Sequence, residues 1–271
     1  MTPRGFFITG TDTGVGKTVF TSALARSLRD RGARVAAYKP ACSGASPDSP
    51  SPVDQLTSSG ALFNSRGDTG LGESGDNRTW PDVEALFQAT GGQWPRDRIC
   101  PQTFLAPLSP PAAAAREGRA VDESLLVEGY RWLAERADAV LVEGAGGFYS
   151  PISAGWLNAD LAERIGLPVL IVAPNRLGTI NQTLLTIEAV RRRGLAVAGV
   201  VLNRLEPASD SANSNAREIT TRGGVRIWGE IPFTMTPELQ PTGFPETMVQ
   251  EIWTEWFPHD AAPCSPNATN E

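Results

Sequence analysis

Histidine and lysine are nearly missing from this chain, whose 271 residues include one histidine, His259, and two lysines, Lys17 and Lys39. His259 lies in a polar C-terminal tail, which excludes a histidine-centred catalytic triad and any multi-histidine metal centre. Three cysteines, Cys42, Cys100 and Cys264, make neither an even disulfide framework nor a metal-ligand cluster, so a reducing, cytoplasmic setting is expected. Long apolar runs are absent too. No stretch approaches the ~20 apolar residues that span a bilayer, and the first residues enter a strand without the basic and apolar regions of a secretory signal. Positive charge is sparse: 24 basic against 30 acidic residues give a net charge of -6 with no long basic run. A phosphate-tracking surface needs a local excess of cations, so no nucleic-acid partner and no membrane partner are expected.

What is present starts with Gly10-Thr11-Asp12-Thr13-Gly14-Val15-Gly16-Lys17-Thr18, between the apolar run Phe6-Phe7-Ile8 and a segment with helical periodicity. Glycines let backbone N–H groups converge on phosphate oxygens, the helix N-terminus adds its dipole, Lys17 reaches the β- and γ-phosphates, and the Thr18 hydroxyl can bind Mg²⁺. The usual spacing places four residues between the first glycine and Gly-Lys-Thr, whereas Gly10 and Gly16 enclose five. The stretch is therefore a Walker A variant. A glycine-rich turn before an ordinary helix is the alternative, and the order strand, turn, helix favours the phosphate loop. Both lysines fall in motif-like stretches, where a compact point charge on a thin stem suits a crowded phosphate site better than the wide fork of arginine.

Apolar runs at residues 5–9, 34–38, 139–142, 168–173, 197–202 and 225–231 predict strands. Periodic segments at 18–30, 82–90, 112–115, 123–136, 158–165, 180–193 and 212–221 predict helices. The alternation predicts an α/β fold, a mostly parallel sheet with helices on both faces, P-loop NTPase-like. The expected organisation is one domain over residues 1–243 with a long surface loop at 45–78, a docking helix over 244–257 carrying Met248, Ile252, Trp253 and Trp256, and a disordered tail over 258–271.

Lys39 ends the second strand, where its ammonium can approach the phosphates; a lysine capping a strand end is the structural alternative. Thr18, Asp82 and Glu143 are candidates for a Mg²⁺ shell, which takes hard oxygens and keeps waters. Glu143 is expected at the C-terminal tip of its strand, as a metal ligand or as a solvated residue. Asp82 is equally plausible as the N-cap of its helix. Ser43 and Gly44 could hold a small substrate by hydroxyl and backbone N–H, and Asn203 could read a base edge or serve as a turn residue.

Taken in order, the phosphate loop, Tyr38-Lys39-Pro40 with Ser43-Gly44, Val142-Glu143-Gly144-Ala145-Gly146-Gly147, Arg176-Leu177-Gly178-Thr179-Ile180-Asn181 and Val201-Leu202-Asn203-Arg204 make the chain resemble the dethiobiotin synthetase family from about residue 4 to about residue 235. The resemblance implies an ATP-dependent ligase of biotin biosynthesis. Its small-molecule substrates are 7,8-diaminononanoate, CO₂ and ATP, with Mg²⁺ as cofactor. It implies Thr11, Lys17 and Lys39 as the catalytic set, with Ser43 beside the carbamate, and Gly14, Val15, Gly16, Lys17 and Thr18 around the phosphates. Asn203 and Pro232 would meet adenine, and Thr18, Asp82 and Glu143 the metal. It also implies a homodimer with a shared active site, in which Gly178, Thr179 and Asn181, near Gly146 and Gly147, hold the substrate carboxylate. Two departures stand out: the long insert at 45–78, which moves Asp82 far from Lys39 in sequence, and Pro111, where some members carry a histidine. A partitioning-type ATPase would share the phosphate loop but need switch segments and a protein partner. A cobyrinic-type ligase would need a further amidotransferase domain, and a pure binding module would not need Lys17, Thr18 and Glu143 together.

Overall fold

Strands whose residues are buried on both faces pair in parallel into one six-stranded sheet, ordered β2-β5-β1-β6-β7-β8, among the residues that the computed structural model describes, 4–45, 78–207, 212–233 and 246–257. The strands are β1 (Arg4–Gly10), β2 (Val35–Tyr38), β5 (Ala139–Gly147), β6 (Val169–Pro174), β7 (Val197–Asn203) and β8 (Ile227–Ile231). A separate parallel pair joins β3 (Cys42–Ser43) to β4 (Thr103–Phe104), within stretches that the sequence suggests are irregular. The helices are α1 (Lys17–Asp30), α2 (Pro81–Ala89), α3 (Arg96–Ile99), α4 (Pro110–Arg116), α5 (Glu123–Ala134), α6 (Asn158–Ile165), α7 (Thr179–Arg192), α8 (Ala212–Gly223) and α9 (Glu246–Trp256). The expected α/β architecture is the observed one. The expected loop at 45–78, apart from its first and last residues, and the expected tail with His259 lie outside the described residues.

Alternate residues of β1 serve opposite layers. Phe6 and Ile8 pack with Phe20, Leu24 and Leu28 of α1 and with Met248, Val249 and Ile252 of α9. Phe7 joins the other layer with Leu126 and Leu133 of α5, Leu161 of α6 and Ile187 of α7. Each face of the sheet is thereby covered by apolar helix surface, the condition for an all-parallel sheet. The ring of Phe6 meets Trp256 edge-on at 5.3 Å between centroids. No described helix is long and apolar enough to cross a membrane.

Two local expectations change. The fifth strand does not stop at residue 142 but continues through Glu143 to Gly147, because its tail still finds a partner: Gly10 pairs with Gly147 across a register shift. The N-cap of α2 is Trp80, with Pro81 at the first helical position, so Asp82 is not the cap and sits inside the first turn. Trp80 is pinned there by its indole N–H, which donates to the Phe104 carbonyl at 3.0 Å.

Ile252 is fully buried between α9 and the sheet. Ile252→Ala is expected to lower unfolding free energy by about 2–4 kcal/mol through lost burial and a residual cavity. Urea denaturation should show this as a lower midpoint with an unchanged slope; a loss below about 1 kcal/mol would mean that α9 does not depend on this contact.

Candidate active site

The loop between β1 and α1 has the backbone that a phosphate site needs. Gly14 and Gly16 have φ of 72° and 91°, a left-handed region that side chains disfavour. A Cβ on Gly16 would lie 2.0 Å from Nδ2 of Asn203, and one on Gly10 would lie 2.6 Å from the Asp12 carbonyl oxygen. The first turn of α1 carries no acidic side chain, so nothing of its own charge competes for the helix N-terminus. Lys17 is buried and donates from Nζ to the Asp12 carbonyl at 3.2 Å. Its pKa is lowered, chiefly by burial, with Glu143 opposing and Lys39 adding to the drop.

Beside the loop lies a cluster of buried charge. Lys39 donates from Nζ to Glu143 Oε1 at 2.7 Å and is ion-paired with Asp82. Thr18 donates its hydroxyl to the same Glu143 Oε1 at 2.7 Å. Burial alone would drive the Lys39 proton off, but Glu143 and Asp82 reverse that and hold the ammonium above the ordinary lysine range. For Asp82 burial also works against charge, and Lys39, Thr18 and Lys17 outweigh it, leaving the carboxyl below its usual value. Glu143 is fully buried within its strand, so the solvated alternative is overturned. Its Oε2 has no hydrogen-bond partner. One hydroxyl and two carboxylates, one of which keeps a buried oxygen with spare lone pairs, form a donor set that fits a hard divalent cation. Among the described residues no group of three His, Cys, Asp or Glu could hold a metal, so such a shell depends on Thr18 and on ligand oxygens.

The cluster is assembled by register. Tyr38 pairs with Val142, which sets Lys39 beside Glu143, and Ile8 pairs with the same Glu143 on its other side. Lys39 is steadied by its own N–H, which donates to Ile99 O at 2.8 Å. The Tyr38 hydroxyl donates to the carbonyls of Leu125 and Leu126, and Gly129 leaves it room, since a Cβ there would come within 2.4 Å of that oxygen.

The remaining expected residues divide. Ser43 spends its hydroxyl proton on Leu108 O at 2.5 Å. The Gly44 N–H, expected to be open to a substrate, donates to Phe104 O at 3.1 Å because this segment pairs with the one carrying β4. Thr11 is tied through its N–H to Val172 O, and its hydroxyl is buried without a partner. It is Thr13 that faces the glycine turn: a Cβ on Gly146, at φ 79°, would lie 3.4 Å from Thr13 Oγ1. Gly147 donates its N–H to Ser150 Oγ at 2.9 Å. Gly178, at φ 92°, caps α7, with Thr179 buried just inside it and Asn181 exposed. These stand at the end of β6, the neighbour of β1 on the side away from β5. Asn203 ends β7 and is not a turn residue; its Nδ2 donates to Val15 O at 2.9 Å, and exposed Pro232 follows β8. Cys42 is a packing residue, its thiol pushed up to about 12 mainly by burial.

Sequence reasoning misses Asn158. This fully buried amide donates to the carbonyls of Ala145, Gly147 and Ser150 and accepts from the Ala145 N–H, which shapes the glycine turn after Glu143. An asparagine opening a helix next to a glycine-rich strand end is the only local signal for it.

A family model described as an AAA domain matches residues 4–240. The chain is 46% identical over 235 residues to the ATP-dependent dethiobiotin synthetase of Anaeromyxobacter dehalogenans strain 2CP-C, an alignment that covers 86% of this chain and 90% of the relative. It is 35% identical over 241 residues to an ATP-dependent dethiobiotin synthetase of Escherichia coli O157:H7, covering 89% and 96%. Among solved structures it is similar in fold, at TM-score 0.50 and 15% identity, to the MinC:MinD cell division protein complex of Aquifex aeolicus, covering 97% of this chain and 98% of that one.

Gly16→Ala would force a Cβ against Asn203 in a left-handed backbone. ATP affinity is expected to fall by about 10- to 100-fold, from 1–3 kcal/mol of local strain, while the thermal midpoint drops only modestly. Calorimetric titration with ATP checks this, and affinity within threefold of wild type would show that the loop does not receive the phosphates.

Proposed function

The chain belongs to the ATP-dependent dethiobiotin synthetase family, and from that premise we propose that it carboxylates 7,8-diaminononanoate with CO₂ and closes the ureido ring of dethiobiotin at the expense of ATP. In this reading the N7 amine adds CO₂ to form a carbamate, and a carbamate oxygen attacks the γ-phosphorus of ATP, expelling ADP. The N8 amine then attacks the carbamate carbon of the mixed anhydride, forming the ring and releasing phosphate.

The observation that carries the proposal is the buried Lys39, kept cationic by Glu143 and Asp82 beside the phosphate loop. A fixed ammonium there stabilises charge on the carbamate and on the transferring phosphoryl group, and Lys17 does the same from the β- and γ-phosphate side. Thr18, Glu143 and Asp82 would hold Mg²⁺, which supplies charge neutralisation on the phosphate oxygens. Gly14, Val15 and Gly16 offer N–H groups to the phosphates, and Asn203 and Pro232, at the ends of β7 and β8, flank the adenine. Thr11, with Thr13 beside it, and the Ser43 oxygen border the carbamate. Gly146, Gly147, Gly178, Thr179 and Asn181 receive the remainder of the diamine. A homodimer completes this end of the site in the reading: Leu177, 86% exposed beside Gly178, is an apolar side chain that a second copy would cover.

Mass spectrometry of a reaction containing ATP, Mg²⁺, carbon-13 bicarbonate and 7,8-diaminononanoate is expected to show labelled dethiobiotin. ATP turnover indifferent to the diamine would reject the proposal. Lys39→Ala should lower kcat by about 100-fold, as for loss of one preorganised donor, and should also lower the melting temperature, because it leaves the buried Glu143 carboxylate without its cation.

A further inference from the structure

Behind the rim that carries Asn203 and Gly178 runs a line of polar groups made by Asn175, Asn215, Glu230 and Arg204. Asn203 donates Nδ2 to Val15 O in the phosphate loop, and its own carbonyl accepts the Asn175 N–H at 2.7 Å. Asn175 is buried, and both ends of its amide are used: Nδ2 donates to Glu230 Oε1 at 2.9 Å and Oδ1 accepts from Asn215 Nδ2 at 2.8 Å. Asn215, also buried, reaches the Arg176 carbonyl at 3.3 Å, two residues before the Gly178 cap of α7. Glu230 in turn is clamped by Arg204, whose Nε and Nη2 donate to its two oxygens at 2.5 and 3.0 Å. Buried amides at a sheet end are costly unless paired, and these pairs set the amide orientation in both directions.

We propose that Asn175 is a positioning residue, which through Asn215 and Glu230 holds the turn before α7 in register with the Asn203–Arg204 end of β7 and so couples the phosphate loop to the turn that receives the amine substrate. The inference rests on the functional reading above for the identity of that substrate. Neither Asn175 nor Asn215 touches a reacting atom in this account. Their effect is on where two rim loops stand relative to each other, and the physical content of the proposal is a coupling that a substitution cycle can measure.

Asn175→Asp keeps the oxygen that Asn215 bonds and turns the donor facing Glu230 into a second carboxylate. The Kd for ADP and the KM for 7,8-diaminononanoate are each expected to rise about tenfold, the scale of one lost hydrogen bond to a charged group, while kcat at saturation stays within about threefold. Adding Glu230→Gln inverts donor and acceptor toward residue 175 at unchanged net charge but turns one Arg204 contact donor-to-donor, so both constants should recover by at least about threefold from the single variant without reaching wild type. A merely structural role would lower the melting temperature without separating KM from kcat, and the inversion would not rescue it. Unchanged ADP affinity and diamine KM in the single variant overturn the proposal, as does a double variant with wild-type melting whose two constants recover less than threefold from the single variant. If Asn175→Asp does not fold, Asn215→Ser is judged by the same two constants. Wild-type protein that binds ADP but shows no diamine-dependent turnover rejects the functional reading instead, and the network is then decided by ADP affinity alone.

Discussion

A lysine ammonium held in a nearly water-free place by two carboxylates is the constraint around which this molecule is arranged. Lys39 is buried, and its partner Glu143 is fully buried. Either charge alone would cost several kcal/mol of lost hydration, so each is tolerable only because the other is within hydrogen-bond distance. That demand fixes topology. Only with β5 lying between β2 and β1 do the end of β2, the acid of β5 and the phosphate loop after β1 meet at the C-terminal end of the parallel strands. Asp82, 42% exposed, brings the second carboxylate from a helix outside the sheet, which leaves the open side of the cluster toward solvent and ligands.

The two lysines and the many arginines stand in different surroundings. Arginines elsewhere lie over aromatic rings, as Arg98 and Arg136 do over Trp132, Arg164 over Trp156 and Arg226 over Trp228. A planar, weakly hydrated guanidinium covers such rings well, while a compact ammonium concentrates its charge where phosphate oxygens crowd. Surface and site therefore use different cations for different physical reasons.

The architecture was legible because its signals are local. Strands such as Phe6-Phe7-Ile8 and Val140-Leu141-Val142 are apolar without alternation, and the glycines at 10, 14 and 16 mark a backbone that no other residue adopts there without strain or clash. Lys17 and Thr18 were legible as candidates from the phosphate loop, Lys39 and Glu143 from their places at strand ends, and Asp82 from its match to the family's acidic motif; the structure brings Thr18, Lys39, Asp82 and Glu143 into one hydrogen-bonded or ion-paired cluster. What was not legible depends on partners remote in sequence. The burial of Glu143 follows from strands on both sides of it, the short β3–β4 pair from a contact between segments about sixty residues apart, and the bracing by Asn158, Asn175 and Asn215 from amides that resemble ordinary polar residues until their acceptors are in place. Gly44 was misjudged for the same reason, since only the pairing reveals that its N–H is taken.

These internal partners also set the terms on which the site can act. Lys17 donates a hydrogen bond to the Asp12 carbonyl oxygen, and Thr18 and Lys39 both donate to one oxygen of Glu143. Any ligand that took up these groups would have to outcompete bonds that already satisfy them, and net binding would be the difference between the new contacts and the old ones. The arrangement keeps each donor near the position where it is wanted, because the partner it leaves is a neighbouring backbone or carboxylate oxygen and not bulk water. Glu143 keeps one unpartnered oxygen, so it can accept a further contact without first giving up the bonds it receives from Thr18 and Lys39.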